Sequence, residues 1–314
     1  MRYLVLGAGA LGGYFGATLL KGGADVTFLV RPPRAAQLRR DGLVIKAPDG
    51  SELRSPVRTV EQGQLDGHYD VVLLTCKAYD LESALAAIAP AVGEQSAIVP
   101  VLNGIRHIDD LTERFGRGRV LGGLTRIRAE LMRDGTIVQS RAQIDFNLIG
   151  ELDGRASTRC SAIKAALEAG GMPVDISDDI MAMMWAKFFG FVCSATIATL
   201  TRSRAGPLAR SASGARFVSA VIEECARVVA AAGYPQPPPP APDTAAIIRG
   251  LFSGHDSSYG PSMLIDMEQG RRTKGEHTIG DMVERADRAN ISAPILNAAR
   301  CNLEAYEINR TRPR

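Results

Sequence analysis

Three glycines between an apolar strand and a helix are the residues of this sequence best suited to bind a ligand. Gly7, Gly9 and Gly12 stand in the spacing G-x-G-x-x-G directly after the strand. In this motif the first glycine permits a tight turn, the second lets the backbone approach a pyrophosphate, and the third lets the helix pack closely on the strand. The N–H groups at the start of the helix, around Ala10 and Leu11, then face the phosphates. The spacing therefore predicts a dinucleotide-binding site.

The end of the next strand indicates which nicotinamide cofactor fits this turn. Enzymes that bind NAD place Asp or Glu there to hold the ribose 2′-hydroxyl. Here the strand 25–30 ends at Val30, and Arg31 and Arg34 follow. A 2′-phosphate would meet a cation instead of a repelling carboxylate, so we predict NADPH. The alternative is a glycine-rich turn without a ligand, but a strand, a helix and a second strand supply the context that dinucleotide binding requires.

Two further polar residues directly follow apolar strands. Lys77 comes after the run 71–75, and Asn103 comes with Gly104 after the run 97–102. Open α/β sheets bind ligands outside the carboxyl ends of their strands, so we expect both side chains near the nicotinamide. Taken singly, each has an ordinary alternative: Lys77 as a surface residue at a helix start, and Asn103 as part of a simple turn.

Lys187 is the only charged residue in the apolar segment 180–201. The length of this segment would permit a membrane span. A lysine in its middle and the lack of a second such segment favour a buried helix of a soluble protein instead. Burial lowers the pKa of a lysine toward values that suit proton transfer. The alternative is a lysine that extends to solvent at the helix edge.

The elements that position these residues change type along the chain. Strand-like runs alternate with helical patterns at 80–88 and 157–169, which predicts an α/β fold with a doubly wound Rossmann-type sheet. These strand-like runs, beyond the first two strands, are 43–46, 71–75, 97–102, 120–127 and 144–149.

After residue 176 the pattern is helical throughout, which predicts an all-α domain. We therefore expect an NADP-binding Rossmann-type domain over 1–178 and a helical substrate and catalytic domain over 179–314, with the proline-rich residues 235–242 as an extended connector. The predicted helices are 180–201, 208–232, 243–252, 262–271, 276–289 and 294–308.

Composition excludes several classes of protein. The chain has 314 residues, 46% hydrophobic and 23% charged, which is typical of a soluble two-domain protein. A net charge of +3 is too small to imply a nucleic-acid partner. The 5 cysteines show no C-x-x-C spacing and the 4 histidines no H-x-x-x-H spacing, so no disulfide framework or metal site is predicted. We expect a cytoplasmic protein without a membrane or nucleic-acid partner, in which the apolar helix leaves room for a homodimer contact.

The order of these motifs resembles the ketopantoate reductase family over nearly the whole chain. The resemblance implies that the protein reduces a 2-oxo acid such as ketopantoate (2-dehydropantoate) with NADPH, in pantothenate biosynthesis. It implies that Lys187 protonates the carbonyl oxygen, that Asn103 and Lys77 place cofactor and substrate, and that Ser262 binds substrate. The matching segments are GAGALG at 7–12, Arg31, TCKAYD at 75–80, VLNG at 101–104, VLGG at 120–123, WAKF at 185–188 and PSMLIDMEQGRRT at 261–273.

Three positions depart from the family pattern. Lys274 replaces the glutamate of a T-E-x-D signature, and Phe191 and Ala195 replace asparagines four and eight residues after Lys187. By spacing, Phe191 and Ala195 share a helix face with Lys187, so we expect a more apolar pocket there. Lys274 would weaken Lys187 as an acid by repulsion, or bind a substrate carboxylate. The alternatives are therefore a reductase of the same fold that acts on another ketone or an imine, and an NADP-binding sensor or partner protein without catalysis.

Overall fold

The computed structural model describes residues 1–140, 146–235 and 243–312. The chain splits into two compact units, the first formed by Met1–Leu102 and His107–Ile180, the second by Asn103–Arg106 and Met181–Arg314. Most of the predicted connector 235–242 and the residues 144–145 of a predicted strand lie outside the described residues.

In the residues that the structure describes, the first unit contains the strands and five α-helices. The strands are β1 (Arg2–Leu6), β2 (Asp25–Leu29), β3 (Leu43–Lys46), β4 (Glu52–Ser55), β5 (Arg58–Val60), β6 (Tyr69–Leu74), β7 (Val92–Pro100), β8 (Leu121–Thr125), β9 (Arg128–Leu131), β10 (Ile137–Ser140), β11 (Asn147–Glu151) and β12 (Asp175–Ile176). The helices are α1 (Ala10–Lys21), α2 (Pro32–Asp41), α3 (Leu81–Ile88), α4 (Arg106–Phe115), whose first residue belongs to the second unit, and α5 (Thr158–Ala169).

The largest sheet has five parallel strands in the order β5-β2-β1-β6-β7. Strand β1 is buried on both faces, because Tyr3, Leu4 and Val5 are apolar and at most 1% exposed. The chain moves outward from β1 to β2 and β5, and then crosses to β6 on the other side of β1. This reversal creates a crevice at the carboxyl ends of β1 and β6, where doubly wound folds bind ligands.

The other strands form two smaller sheets, where the sequence suggested a single one. The orders are β4-β3-β10-β9 and β12-β11-β8, both with antiparallel pairs. Several of these strands were not predicted, because short, largely exposed segments such as β4 and β9 show no apolar alternation. The predicted class, a doubly wound Rossmann-type part followed by helices, is confirmed.

Among the described residues of the second unit, every regular element is a helix. The predicted helix 208–232 is two helices, and the turn between them requires a glycine, because a Cβ at Gly214 would lie less than 3.0 Å from the Leu208 carbonyl oxygen. The predicted helix 276–289 opens with one π-helical turn, Glu276–Gly280. The α-helices are α6 (Ile180–Thr201), whose first residue belongs to the first unit, α7 (Ala205–Ala209), α8 (Gly214–Ala231), α9 (Thr244–Leu251), α10 (Ser262–Glu268), α11 (Asp281–Arg288) and α12 (Pro294–Thr311).

Helix α6 is a core helix. Its 22 residues would be long and apolar enough to cross a membrane, but 67% of its most apolar window is buried inside the protein. Burial of an apolar helix on nearly all sides is the pattern of a helix in the interior of a large domain. The structure therefore favours the buried helix over the membrane span.

Candidate functional site

The glycine turn has the geometry that the motif predicts. Gly7 has a φ of +90°, a conformation that side chains disfavour. Its N–H donates to the Leu29 carbonyl at 2.9 Å, which joins the turn to β2. Helix α1 then packs so tightly that a Cβ at Gly12 would lie less than 3.0 Å from the Gly7 carbonyl and the Thr75 hydroxyl. The first and third glycines are therefore required by the fold itself.

Gly9 differs from the other two glycines. It is the N-cap of α1 with an ordinary φ of −79°, and a Cβ placed on it would meet no protein atom within 4 Å. Gly9, Ala10 and Leu11 all keep part of their surface exposed. The fold places no demand on the residue at Gly9, and the start of the helix is open to a ligand that needs close backbone approach.

Thr75 and Arg34 support this turn, and the sequence motifs assigned no role to the first and did not indicate the protein contacts of the second. The Thr75 hydroxyl donates to the Leu6 carbonyl at 2.7 Å. Arg34 was expected near a phosphate, but its Nε donates to the Ala8 carbonyl at 3.0 Å and its Nη1 to the Gly135 carbonyl at 3.1 Å. Burial lowers the pKa of Arg34. All three contacts are long-range, so no local sequence pattern could reveal them.

Arg31 lies where a cofactor phosphate was predicted, and a carboxylate lies beside it. Arg31 is the N-cap of α2 and its side chain is 79% exposed. Its Nη2 contacts Oδ1 of Asp80 at 3.2 Å. Asp80 ends the short 3-10 turn that Lys77 begins as its N-cap, and Lys77 is exposed. The structure thus places the glycine turn, Arg31 and Lys77 at the carboxyl ends of neighbouring strands, together with an acid, Asp80. The dinucleotide motif predicts an acid only directly after β2, so the sequence did not indicate this one.

In the second unit, Lys187 lies on the narrow accessible stripe of α6. Between residues 182 and 199, only Met183, Ala186, Lys187 and Phe191 retain partial exposure. Their spacing of three or four residues places them on one face of the helix. Lys187 is half-buried, not enclosed as the apolar sequence suggested. Ala195, which was expected to line the same pocket, is 0% exposed and belongs to the core.

Lys274 points to this stripe. Its Nζ lies 5.9 Å from the centre of the Phe191 ring and 3.9 Å from Oδ2 of Asp266. Both charged side chains are mostly buried, with 13% and 16% exposure, so their interaction is less screened than a surface pair. The Asp266 carboxylate offsets the positive charge of Lys274, which weakens the expected repulsion of Lys187. Asp266 lies in α10, whose first residue is the exposed Ser262.

Asn103 lies on a turn that packs against the π-helical segment. A Cβ on Gly104, where φ is +94°, would lie 3.0 Å from the His277 carbonyl. Arg106 fixes this turn: its Nη2 donates to Oε2 of Glu284 at 2.6 Å and its Nε to Oδ1 of Asp281 at 3.4 Å. The turn that carries Asn103 is therefore held against residues 276–284 of the second unit by the close approach of Gly104 and the ion pairs of Arg106.

Asp281 is the buried centre of this anchor. It is 0% exposed, and its two oxygens share the single Nε–H of Arg285, at 3.2 and 3.1 Å. The Arg285 guanidinium lies 5.0 Å from the centre of the Trp185 ring, two residues before Lys187. Burial raises the pKa of Asp281 despite both arginines, while burial and Arg106 lower the pKa of His277. Asp281 thus links the Trp185 ring, which Arg285 contacts, to the Asn103 turn, which Arg106 anchors.

No metal site accompanies these groups: among the residues that the structure describes, no cluster of three or more His, Cys, Asp or Glu could hold an ion. The arrangement offers a glycine turn suited to a dinucleotide in one unit. In the other unit it offers a half-buried lysine, Lys187, one helical turn before an aromatic ring that a second cation, Lys274, approaches.

Comparison with known proteins identifies the family. The chain matches the models for "Ketopantoate reductase PanE/ApbA" over residues 3–154 and for its C terminal domain over 179–307. The uncharacterized oxidoreductase YkpB of Bacillus subtilis is 36% identical over 98% of this chain and 99% of that protein. The 2-dehydropantoate 2-reductase of Archaeoglobus fulgidus is 28% identical over 94% of each.

The fold has close structural relatives. The ternary structure of D-mandelate dehydrogenase with NADH and anilino(oxo)acetate has a TM-score of 0.83 and 21% identity, over 99% of this chain and 100% of that chain. The resemblance read from the motifs is confirmed. Since the two family models together match well over half of its residues, this chain belongs to the ketopantoate reductase PanE/ApbA family of oxidoreductases.

Proposed function

We propose that this protein is a cytoplasmic, NADPH-dependent reductase of 2-oxo acids, with residues 1–178 as the NADP-binding domain and 179–314 as the substrate domain. The observation that carries the proposal is the position of Lys187, on the accessible stripe of an otherwise buried helix. An amine that is half-buried is partly desolvated yet open to a substrate, as a proton donor must be.

The residues of the first unit fit a dinucleotide. The open space at Gly9 and the exposed start of α1 suit a pyrophosphate, and Arg31 suits a 2′-phosphate. NADPH supplies a hydride when bound. Lys77, exposed at the N-cap that follows β6, would contact the same ligand. Backbone N–H groups and two cations thus match the negative charges of this cofactor.

In the second unit, Lys187 donates a proton to the carbonyl oxygen of the substrate. Negative charge develops on that oxygen as the carbon accepts hydride, so a positioned ammonium lowers the barrier. Asn103 orients the substrate from the turn that Arg106 fixes, and Ser262 binds it from the exposed start of α10. The product is a 2-hydroxy acid, which for ketopantoate is the pantoate required for pantothenate.

Phe191 favours a 2-oxo acid with an apolar side chain over ketopantoate. The ring occupies the accessible stripe next to Lys187, so the hydroxyl of ketopantoate would lose a hydrogen-bonding partner. Lys274, mostly buried against Asp266 and 5.9 Å from the ring centre, is placed to attract a carboxylate. A ligand of this type, anilino(oxo)acetate, is bound in the D-mandelate dehydrogenase that shares the fold. An unrelated ketone or an imine is the competing substrate.

The test is NADPH oxidation against ketopantoate, branched and aromatic 2-oxo acids, simple ketones and an imine. We expect a 2-oxo acid with an apolar side chain to be the best substrate. Lys187→Ala should lower kcat about 10²- to 10⁴-fold, the usual contribution of a general acid, and leave NADPH affinity unchanged. Lys46→Ala, an exposed lysine in β3, is the control. Near-normal turnover of Lys187→Ala would assign that lysine a structural role, and NADPH binding without turnover of any carbonyl would support a sensor.

A further inference from the structure

The ion pair between Arg31 and Asp80 joins the two sides of β1. Strands β2 and β6 both pair with β1, one on each side. Arg31 follows β2 and Asp80 follows β6, so their contact at 3.2 Å bridges the edge where the glycine turn begins. Neighbouring strands are about 4.8 Å apart, so β2 and β6 are separated by roughly twice that distance, and the contact needs the long side chain of Arg31.

This pair is able to exchange partners. Arg31 is 79% exposed, Asp80 is 33% exposed, and the two share a single contact between Nη2 and Oδ1. Ion pairs of this kind contribute little to stability because water and salt screen them. A cofactor phosphate can therefore displace Asp80 from Arg31 without disturbing the fold. Asp80 is the N-cap residue of α3, so its carboxylate remains close to the place where the phosphate would bind.

NADPH and NADH would interact differently with the Arg31–Asp80 pair. A 2′-phosphate carries close to two negative charges, so Arg31 attracts it and Asp80 repels it. A ribose 2′-hydroxyl has no charge and can donate a hydrogen bond to a carboxylate, which is the role of the acid that NAD enzymes carry after the second strand. Here the acid comes from a different strand and stands beside the arginine.

We infer that Asp80 is a specificity-determining residue for the cofactor: its carboxylate competes with the 2′-phosphate for Arg31 and accepts the 2′-hydroxyl of NADH, so that the protein binds both NADPH and NADH. The inference rests on the proposed function, since it requires a nicotinamide dinucleotide at the glycine turn. Asp80 would reduce the preference for NADPH over NADH that Arg31 provides, and the reaction itself would be unchanged.

The test is the dissociation constant of each cofactor, measured by the fluorescence of NADPH and NADH, for the native protein and for Asp80→Asn. The substitution preserves shape and removes the charge. We expect NADPH to bind three- to tenfold more tightly to Asp80→Asn and NADH to bind equally or more weakly. In the Arg31→Ala background, the gain in NADPH affinity should shrink, because the competition for Arg31 is gone.

Glu82→Gln is the matched control, since Glu82 is an exposed acid in the first turn of α3, two residues from Asp80. It removes the same charge without touching Arg31 and should leave the ratio of the two constants within twofold. An unchanged NADPH constant in Asp80→Asn, or an equal gain in Glu82→Gln, would overturn the role of Asp80 alone. If neither cofactor binds the native protein, the proposed function itself is wrong.

Discussion

Replacing Gly9 and Gly12 one at a time by alanine separates a glycine that a ligand requires from one that the fold requires. Gly12→Ala places a Cβ less than 3.0 Å from the Gly7 carbonyl and from Thr75 Oγ1, so α1 or the turn must move. Forcing a methyl into a packed site costs about 1–3 kcal/mol. The thermal midpoint should therefore fall, and cofactor affinity should fall with it.

Gly9→Ala should behave in the opposite way. Its φ of −79° suits alanine, and no protein atom lies within 4 Å of the new Cβ. Alanine is a poorer N-cap than glycine, but it also reduces the freedom of the unfolded chain, so the free energy of unfolding should change by no more than about 0.5 kcal/mol. If the methyl displaces the pyrophosphate from one charge-assisted N–H contact, the loss of about 1.5–3 kcal/mol weakens NADPH binding roughly 10- to 150-fold.

Thermal unfolding and NADPH titration by fluorescence measure the two effects on the same samples. The expected pattern is normal stability with lost binding for Gly9→Ala, and lost stability for Gly12→Ala. Native affinity for NADPH in Gly9→Ala would refute the assignment of this turn as a pyrophosphate site. A thermal midpoint for Gly9→Ala as low as that of Gly12→Ala would show that the fold also needs glycine at position 9.

Three further predictions concern the second unit. Arg106→Gln should lower kcat about tenfold or more by loosening the Asn103 turn. The control is Arg288→Gln, which removes the exposed ion pair of Arg288 with the same Glu284, at 3.7 Å, and should leave kcat unchanged. Equal kcat values for the two variants would refute a positioning role for Arg106. The folded-state pKa of His277 is lowered, so unfolding free energy from urea titrations should fall as pH drops through the unfolded-state pKa near 6.5, and His277→Gln should reduce this dependence. Lys274→Glu combined with Phe191→Asn should improve a poor native efficiency on ketopantoate; a native kcat/KM of about 10⁴ M⁻¹s⁻¹ or more would contradict this.

Local spacing determined the parts of this protein that the sequence predicts well. The G-x-G-x-x-G turn, the strand–helix–strand unit around it and the helix 180–201 are defined by residues close in the chain, and the structure contains all three. The backbone imposes these patterns through turn geometry and helical period, which do not depend on distant residues. The family followed from the same local motifs.

Tertiary structure alone decided which charges and faces meet. Asp80 reaches Arg31 across 49 positions of sequence because parallel strands bring their carboxyl ends to one edge. Lys274 acquired Asp266 as a partner. Ala195 proved buried while Phe191 stayed accessible, because packing leaves one stripe accessible on a helix that is apolar on nearly all sides. Such pairings depend on the arrangement of whole elements in space, so spacing along the chain cannot reveal them.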